Sequence, residues 1–328
     1  MDMQAHADTP DDKFAITRER ARHKLEADLG PEFLTAFRDP ETVELMLNPD
    51  GTLWQEKLGG TAMVPIGTIP PVRAESVIRT VAGYHRKVVT AEAPLLECKF
   101  PLDGSRFAGQ IPPIVPGASF SLRKKALRIF ALEQYVAAGI LTGEHCEYLK
   151  RSIGEYRSIL VSGGTGSGKT TLVNALIGEM VEQKPDERFV IMEDTAELQC
   201  KARNSVSMVA EPPMTLTMLL RHTLRMRPDR ILVGEVRGAE ALDLLDAWNT
   251  GHPGGSATLH ANSPREALTR LVSMVSRNRE APKNIEPLIA AAADVIVQIE
   301  RTNEGSRRIA AIIEIDGYRD GEWVFREI

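Results

Sequence analysis

The stretch Gly163-Gly164-Thr165-Gly166-Ser167-Gly168-Lys169-Thr170 constrains this chain more than any other, because it fills every fixed position of G-x-x-x-x-G-K-[ST]. It follows the apolar run Ser158-Ile159-Leu160-Val161 and precedes Thr171-Leu172-Val173-Asn174-Ala175-Leu176-Ile177, which reads as a helix. Strand, glycine loop and helix in this order make a phosphate-binding loop. Its glycines let backbone N–H groups turn inward around phosphate oxygens. The helix N-terminus adds partial positive charge. Lys169 is expected to reach the β- and γ-phosphates, and the Thr170 hydroxyl to ligate Mg²⁺. Residues 163–171 are therefore the expected nucleotide-binding segment, with ATP and Mg²⁺ as cofactors.

The rest of the chain is long enough to build two domains. It has 328 residues, 43% of them hydrophobic, so two full cores can form. Residues 1–12 are polar and acidic and read as a disordered tail. Residues 13–125 read as a small α+β domain. It contains a helix over 18–29 stopped by Gly30-Pro31, a hairpin of 43–47 with 52–56, and a helix over 72–85. A second hairpin turns at Asp103-Gly104, and a strand follows over 118–123. Residues 126–145 read as a linker, entered through the basic Lys124-Lys125 and Arg128. From 146 to 328, apolar runs at 158–162, 189–192, 231–233, 257–259, 295–299 and 309–315 are separated by helical segments in several places. That alternation predicts a mostly parallel sheet with helices on both faces.

Charge and cysteine usage exclude several classes. The net charge of −5 gives no global attraction to nucleic acid. Three widely spaced cysteines without a C-x-x-C pair exclude a disulfide framework and a cysteine zinc site. No secretory signal opens the chain, and the longest apolar stretch, residues 288–299, contains Asp294 and is too short to cross a bilayer. A cytoplasmic protein with at most peripheral membrane contact is expected.

A phosphate loop alone implies only binding; hydrolysis needs a metal-positioning group and a group that orients water. Arg230-Ile231-Leu232-Val233-Gly234-Glu235 is an apolar strand ending in a carboxylate, and such strand ends face the nucleotide in α/β sheets. Glu235 is thus a candidate for the Mg²⁺ shell, reached through water. A second acidic strand end is Glu193-Asp194-Thr195-Ala196-Glu197. Glu197 is the candidate general base, with Glu193 and Asp194 holding the loop. His260 ends the run Gly254-Gly255-Ser256-Ala257-Thr258-Leu259-His260, where a phosphate sensor would sit. Arg221, Arg225, Arg227 and Arg230 crowd the segment before the Glu235 strand, and Arg106 and Arg123 lie on candidate strands of the first domain. Arginine stabilises charge on a transferring phosphoryl group.

The ordered boxes GGTGSGKT, IMEDTAEL, RILVGEVRG and GGSATLHAN resemble the type II/type IV secretion ATPases over residues 18–300. LNPDG, DGSRFAGQIPP, FSLRKKA and AWNTGHPGG are most similar to the conjugal-transfer branch of that family. The resemblance implies a RecA-like P-loop domain, a homohexameric ring, and nucleotide held between the two domains. It also implies a location at the inner face of a bacterial inner membrane, docked on components of a secretion or conjugation machine. By position, Lys169 and Thr170 match the Walker A pair, Glu235 the Walker B glutamate, Glu197 the acidic-box glutamate and His260 the family histidine. Arg106 and Arg123 resemble the arginines with which the N-terminal domain reaches the phosphates. Three departures stand out. The Walker B box ends in Gly-Glu, where other P-loop ATPases commonly have Asp-Glu. Thr195 follows Glu-Asp where pilus motors often carry proline, and no four-cysteine zinc element is present. Both of these last features favour conjugation over pilus retraction.

The leading expectation is an ATP-hydrolysing motor whose domains move about the connector. A RecA-like nucleic-acid translocase is the alternative, and direct nucleic-acid binding is not expected, since aromatics are only 5% and form no basic–aromatic stripe. A pilus motor and an ATP-bound scaffold without useful turnover are further readings, and a small-molecule kinase, which does not explain the order of the four boxes, is the least favoured.

Overall fold

The computed structural model describes residues 10–58, 60, 62–125, 129–302 and 305–328, with side chains from Arg18 onward. The chain divides into two compact units, residues 1–127 and 128–328.

In the first unit, α1 (Pro10–Arg38) is broken at Gly30, whose φ of 80° is left-handed, immediately before Pro31. The expected helix stop is real, but the chain re-enters a helix beyond it. Of the expected tail, residues 1–9 lie outside the described residues, and Pro10 to Asp12 open α1. β1 (Thr42–Leu47) and β2 (Thr52–Lys57) form the expected hairpin. Its turn is fixed by the Gly51 N–H on Asn48 O and the Thr52 N–H on Asp50 Oδ1. β3 (Val64–Thr68), α2 (Pro71–Tyr84), β4 (Leu95–Lys99), β5 (Arg106–Gln110) and β6 (Ser119–Arg123) follow. The six strands lie in the order β3-β2-β1-β6-β5-β4, and every pair is antiparallel. Alternation places Phe107, Phe120 and Leu122 in a core with Leu25, Leu29 and Phe33 of α1 and Val77 and Val81 of α2. Arg106 and Arg123 alternate away from that core and are directly opposite one another across β5 and β6.

The second unit begins earlier than expected. α3 (Leu132–Ala137) and α4 (Gly143–Gly154) occupy much of the span read as a linker, and Leu132, Tyr135 and Leu141 are buried in this unit's core. The basic entry obscured an apolar set that folds. The sheet strands are β7 (Ile159–Gly163), β8 (Phe189–Glu193), β9 (Ser205–Val209), β10 (Arg230–Val233), β11 (Ser256–His260), β12 (Val295–Arg301), β13 (Arg307–Arg319) and β14 (Glu322–Glu327). Their order is β14-β13-β12-β7-β11-β10-β8-β9. From β12 to β9 every neighbour is parallel; β13 and β14 add an antiparallel edge. Successive residues of a buried strand face opposite layers. Ile159 and Val161 pack with α3, α4 and α5 (Lys169–Gln183), whereas Leu160 packs with the helices of the other face. Those are α6 (Leu216–Thr223), α7 (Glu240–Asn249), α8 (Pro264–Val275) and α9 (Ile285–Ala292). This is the expected α/β RecA-like arrangement. Among the described residues, no helix is long and apolar enough to cross a membrane.

Because β7, β8, β10 and β11 run parallel, their carboxyl ends share one edge. Gly163 pairs with His260, and Val233 pairs with both Met192 and Ala257. Each acidic or histidine box follows one of these pairings, which is how residues far apart in sequence meet.

Candidate nucleotide-binding site

The loop from β7 to α5 has the geometry its glycines allow. Gly166 has φ 68°, and Gly168, the N-cap of α5, has φ 99°. The first-turn N–H groups of a helix point beyond any intrahelical acceptor, so α5 presents donors at the loop. Lys169 is only 7% exposed, and its Nζ donates to Gly163 O at 3.0 Å and Gly164 O at 2.8 Å. Ser167 Oγ is buried in the loop without a hydrogen-bond partner. A buried orphan hydroxyl and a buried ammonium beside backbone donors are a donor set suited to phosphate oxygens.

Lys169 leads to the histidine box. Its Nζ is 3.3 Å from His260 Nδ1, and His260 Nε2 is 3.1 Å from Glu235 Oε1. Glu235 Oε2 accepts from Arg237 at 2.6 Å, and Arg237 lies 3.5 Å from Asp194. Burial would push the Glu235 carboxyl up, but the Arg237 hydrogen bond and the charges of Arg237, His260 and Lys169 outweigh it and hold it below the usual range. The His260 imidazole is held below its ordinary value by burial and by Lys169, against the opposing pull of Glu235. Beside this path a cleft of about 440 Å³ is lined by Gly164, His260, Asn262, Thr269 and Arg270 among others.

The acidic box approaches from β8. Thr170 Oγ1 is 3.5 Å from Glu197 Oε2, so the expected metal-ligating hydroxyl and the expected base lie together. Glu193, 3% exposed, accepts the backbone N–H groups of Glu197 and Leu198 through Oε1, both at 2.8 Å. No cluster of three or more His, Cys, Asp or Glu able to hold a metal unaided occurs among the described residues. Mg²⁺ needs no such cluster, since it binds through one or two side chains and fills its shell with phosphate oxygens and water. Both Glu235 oxygens are already engaged, Oε2 by Arg237 and Oε1 by His260, whereas Thr170 Oγ1 stands at the loop beside Glu197.

The arginines separate into groups. Arg106 and Arg123 sit in the first unit on facing positions. Arg221 is ion-paired to Asp243 and Glu280, each at 2.7 Å, and Arg225 donates to Arg221 O. Arg227 has a left-handed φ of 54°. Arg230 is fully buried and paired to Glu187, so it is a core residue rather than a phosphate ligand. Sequence reasoning missed Arg237, although it lies two residues beyond Glu235. It also missed Asn174 and Arg270, single polar residues within helical runs, where spacing gives no signal.

The type II/IV secretion system protein family matches residues 74–309. The chain is 44% identical over 305 residues to the conjugal transfer protein TrbB of Rhizobium radiobacter, covering 93% of each chain. It is 33% identical over 316 residues to the type IV secretion system protein PtlH of Bordetella pertussis, covering 86% of this chain and 91% of that one. The solved ATPase DotB of Yersinia pseudotuberculosis aligns with a TM-score of 0.62 over 92% of this chain and 80% of its own, at 18% identity, a likeness of fold. The chain belongs to the type II/IV secretion system protein family.

Proposed function

We propose that this protein is an ATPase that hydrolyses ATP, with Mg²⁺, to power a type IV secretion apparatus of the conjugal-transfer kind. The observation that carries this reading is the continuous polar path at one sheet edge, from Lys169 through His260 to Glu235, with Thr170 and Glu197 beside it. ATP supplies the phosphoryl group, and Mg²⁺ the charge that neutralises its oxygens. Residues 163–171 bind the phosphates. Lys169 sets positive charge against them, and Thr170 Oγ1 ligates the metal. Glu197 Oε2 takes the proton of the attacking water. Glu235, oriented by Arg237, and His260 complete the polar wall, while Arg106 and Arg123 bring further positive charge to the phosphates.

The conjugal-transfer assignment rests on the 44% identity to TrbB over nearly the whole of both chains. The protein works as a homohexameric ring on the cytoplasmic face of an inner membrane, docked on membrane components of the apparatus. Purified Lys169→Ala is expected to lose ATP turnover, and Glu197→Gln to retain ATP binding while hydrolysis falls roughly 100-fold or more. Wild-type turnover in Lys169→Ala defeats the assignment. Native mass measurement with and without ATP tests the ring.

A further inference from the structure

We propose that Asn174 and Glu193 form a two-sided backbone clamp that positions Glu197 against the phosphate loop, and that Gly234 is glycine because the clamp occupies the space of a side chain there. The proposal rests on the reading of Glu197 as general base.

Residues 197–199 lie outside helix and strand, so their backbone groups need partners from elsewhere. Two buried side chains supply them. Glu193, at the end of β8, takes the N–H groups of Glu197 and Leu198. Asn174, on α5 and only 1% exposed, donates through Nδ2 to Glu197 O at 3.3 Å and accepts the Gln199 N–H through Oδ1 at 2.8 Å. Asn174 lies four residues beyond Thr170, on the same face of α5. The helix that begins the phosphate loop therefore holds Glu197 twice, by its side chain through Thr170 and by its backbone through Asn174.

Gly234 closes the argument. A Cβ there would stand 2.9 Å from Glu193 Cγ and 3.1 Å from its Oε1. The aspartate common at this point in other P-loop ATPases has no room, since its place at the sheet edge is taken by the neighbouring strand's glutamate. The Gly-Glu form of the Walker B box is thus the steric counterpart of an acidic box anchored by Glu193.

The test uses the full chain and measures steady-state ATP turnover and hydrogen exchange of the 197–199 amides. Asn174→Ala and Glu193→Ala should each lower kcat roughly 10- to 100-fold with KM for ATP changed less than about threefold. Glu193→Gln, whose amide oxygen can accept the same two N–H groups, should recover most of the loss. In a Glu197→Gln background, Asn174→Ala should cost nothing more, because the clamp acts through Glu197. Gly234→Ala should lower kcat in the wild type and cost little further in Glu193→Ala. Full additivity of Asn174→Ala with Glu197→Gln, or a raised KM with unchanged kcat, overturns the clamp. Wild-type turnover in Glu197→Gln instead overturns the base assignment. The clamp then stands or falls on exchange at residues 197–199, which must quicken in Asn174→Ala and Glu193→Ala.

Discussion

His260 Nε2 lies 3.1 Å from Glu235 Oε1 while Nδ1 of the same ring faces Lys169 Nζ at 3.3 Å. Lys169 can only donate, so Nδ1 accepts, and Nε2 carries the proton toward the carboxylate. A single neutral tautomer satisfies both neighbours. The depressed imidazole, shifted first by burial and then by the Lys169 charge, agrees with that assignment. Below the ordinary value of 6.5 the unfolded chain binds the proton more readily than the folded one. Stability is therefore lost as pH falls from 6.5 through the folded value. Turnover should be insensitive to this group above 6.5 and fall on the acid side as Nδ1 becomes a second cation facing Lys169. Thermal melts from about pH 8 to about pH 5 should show wild type losing stability relative to His260→Gln only in the lower part of the range. A difference constant across the range rejects the neutral assignment.

Arg106 and Arg123 occupy directly opposed positions on β5 and β6, and Arg106 also opposes Lys99 on β4. The row continues to Glu44 on β1, directly opposite Arg123, so a carboxylate sits among its cations. A row kept for phosphate contact predicts that activity responds more than stability. Arg106→Gln should melt close to wild type, while ATP turnover falls by about tenfold or more. Calorimetry and phosphate release on the same preparation decide it. Unchanged turnover removes Arg106 from the nucleotide chemistry.

Arg221 was one of several arginines that its sequence position brings near the Glu235 strand. Its guanidinium bonds Asp243 of α7 and Glu280 beyond α8, and those two carboxylates raise its affinity for the proton further. Its side chain is 49% exposed, in solvent-screened pairs. Arg221→Ala should keep wild-type kcat and KM for ATP. A loss of turnover comparable with Arg106→Gln would return it to the site.

The architecture was legible where one physical rule acted alone. The apolar runs of β7, β8, β10, β11 and β12 are buried on both faces and announce themselves by continuity, and the phosphate loop by its glycines. β3, β9 and β14 went unrecognised because each is an edge strand with few buried side chains. α3 was hidden within what read as a connector, since six residues carry little periodicity. At the site, Glu197 and Glu235 could be named because each follows a strand, and His260 because it ends one. Their mutual order could not, since it depends on which strands are neighbours. The Glu193 and Asn174 contacts depend on side-chain direction, and composition and spacing carry no trace of that.

Arg230 begins β10, at the end of the strand opposite Glu235. It is fully buried, with Nε on Glu187 at 2.8 Å, one terminal nitrogen on Gly254 O at 2.9 Å and the other on Ile153 O at 3.1 Å. Its guanidinium carbon sits 4.4 Å from the Tyr156 ring centroid. One side chain thus ties the end of α4 and the loop before β11 to the sheet. Arg230→Met would remove the cation from the Glu187 carboxylate, leaving it the Tyr156 hydroxyl, and take the arginine donor from Gly254 O, while Ile153 O keeps the Tyr156 N–H, at a cost of about 3–5 kcal/mol. Arg230→Lys keeps the charge but cannot reproduce the planar fork, so it should fall between Arg230→Met and wild type. Chemical denaturation should order the three proteins in that way, with nucleotide affinity of the folded fraction unchanged. Loss of affinity without loss of stability would instead place this arginine at the nucleotide.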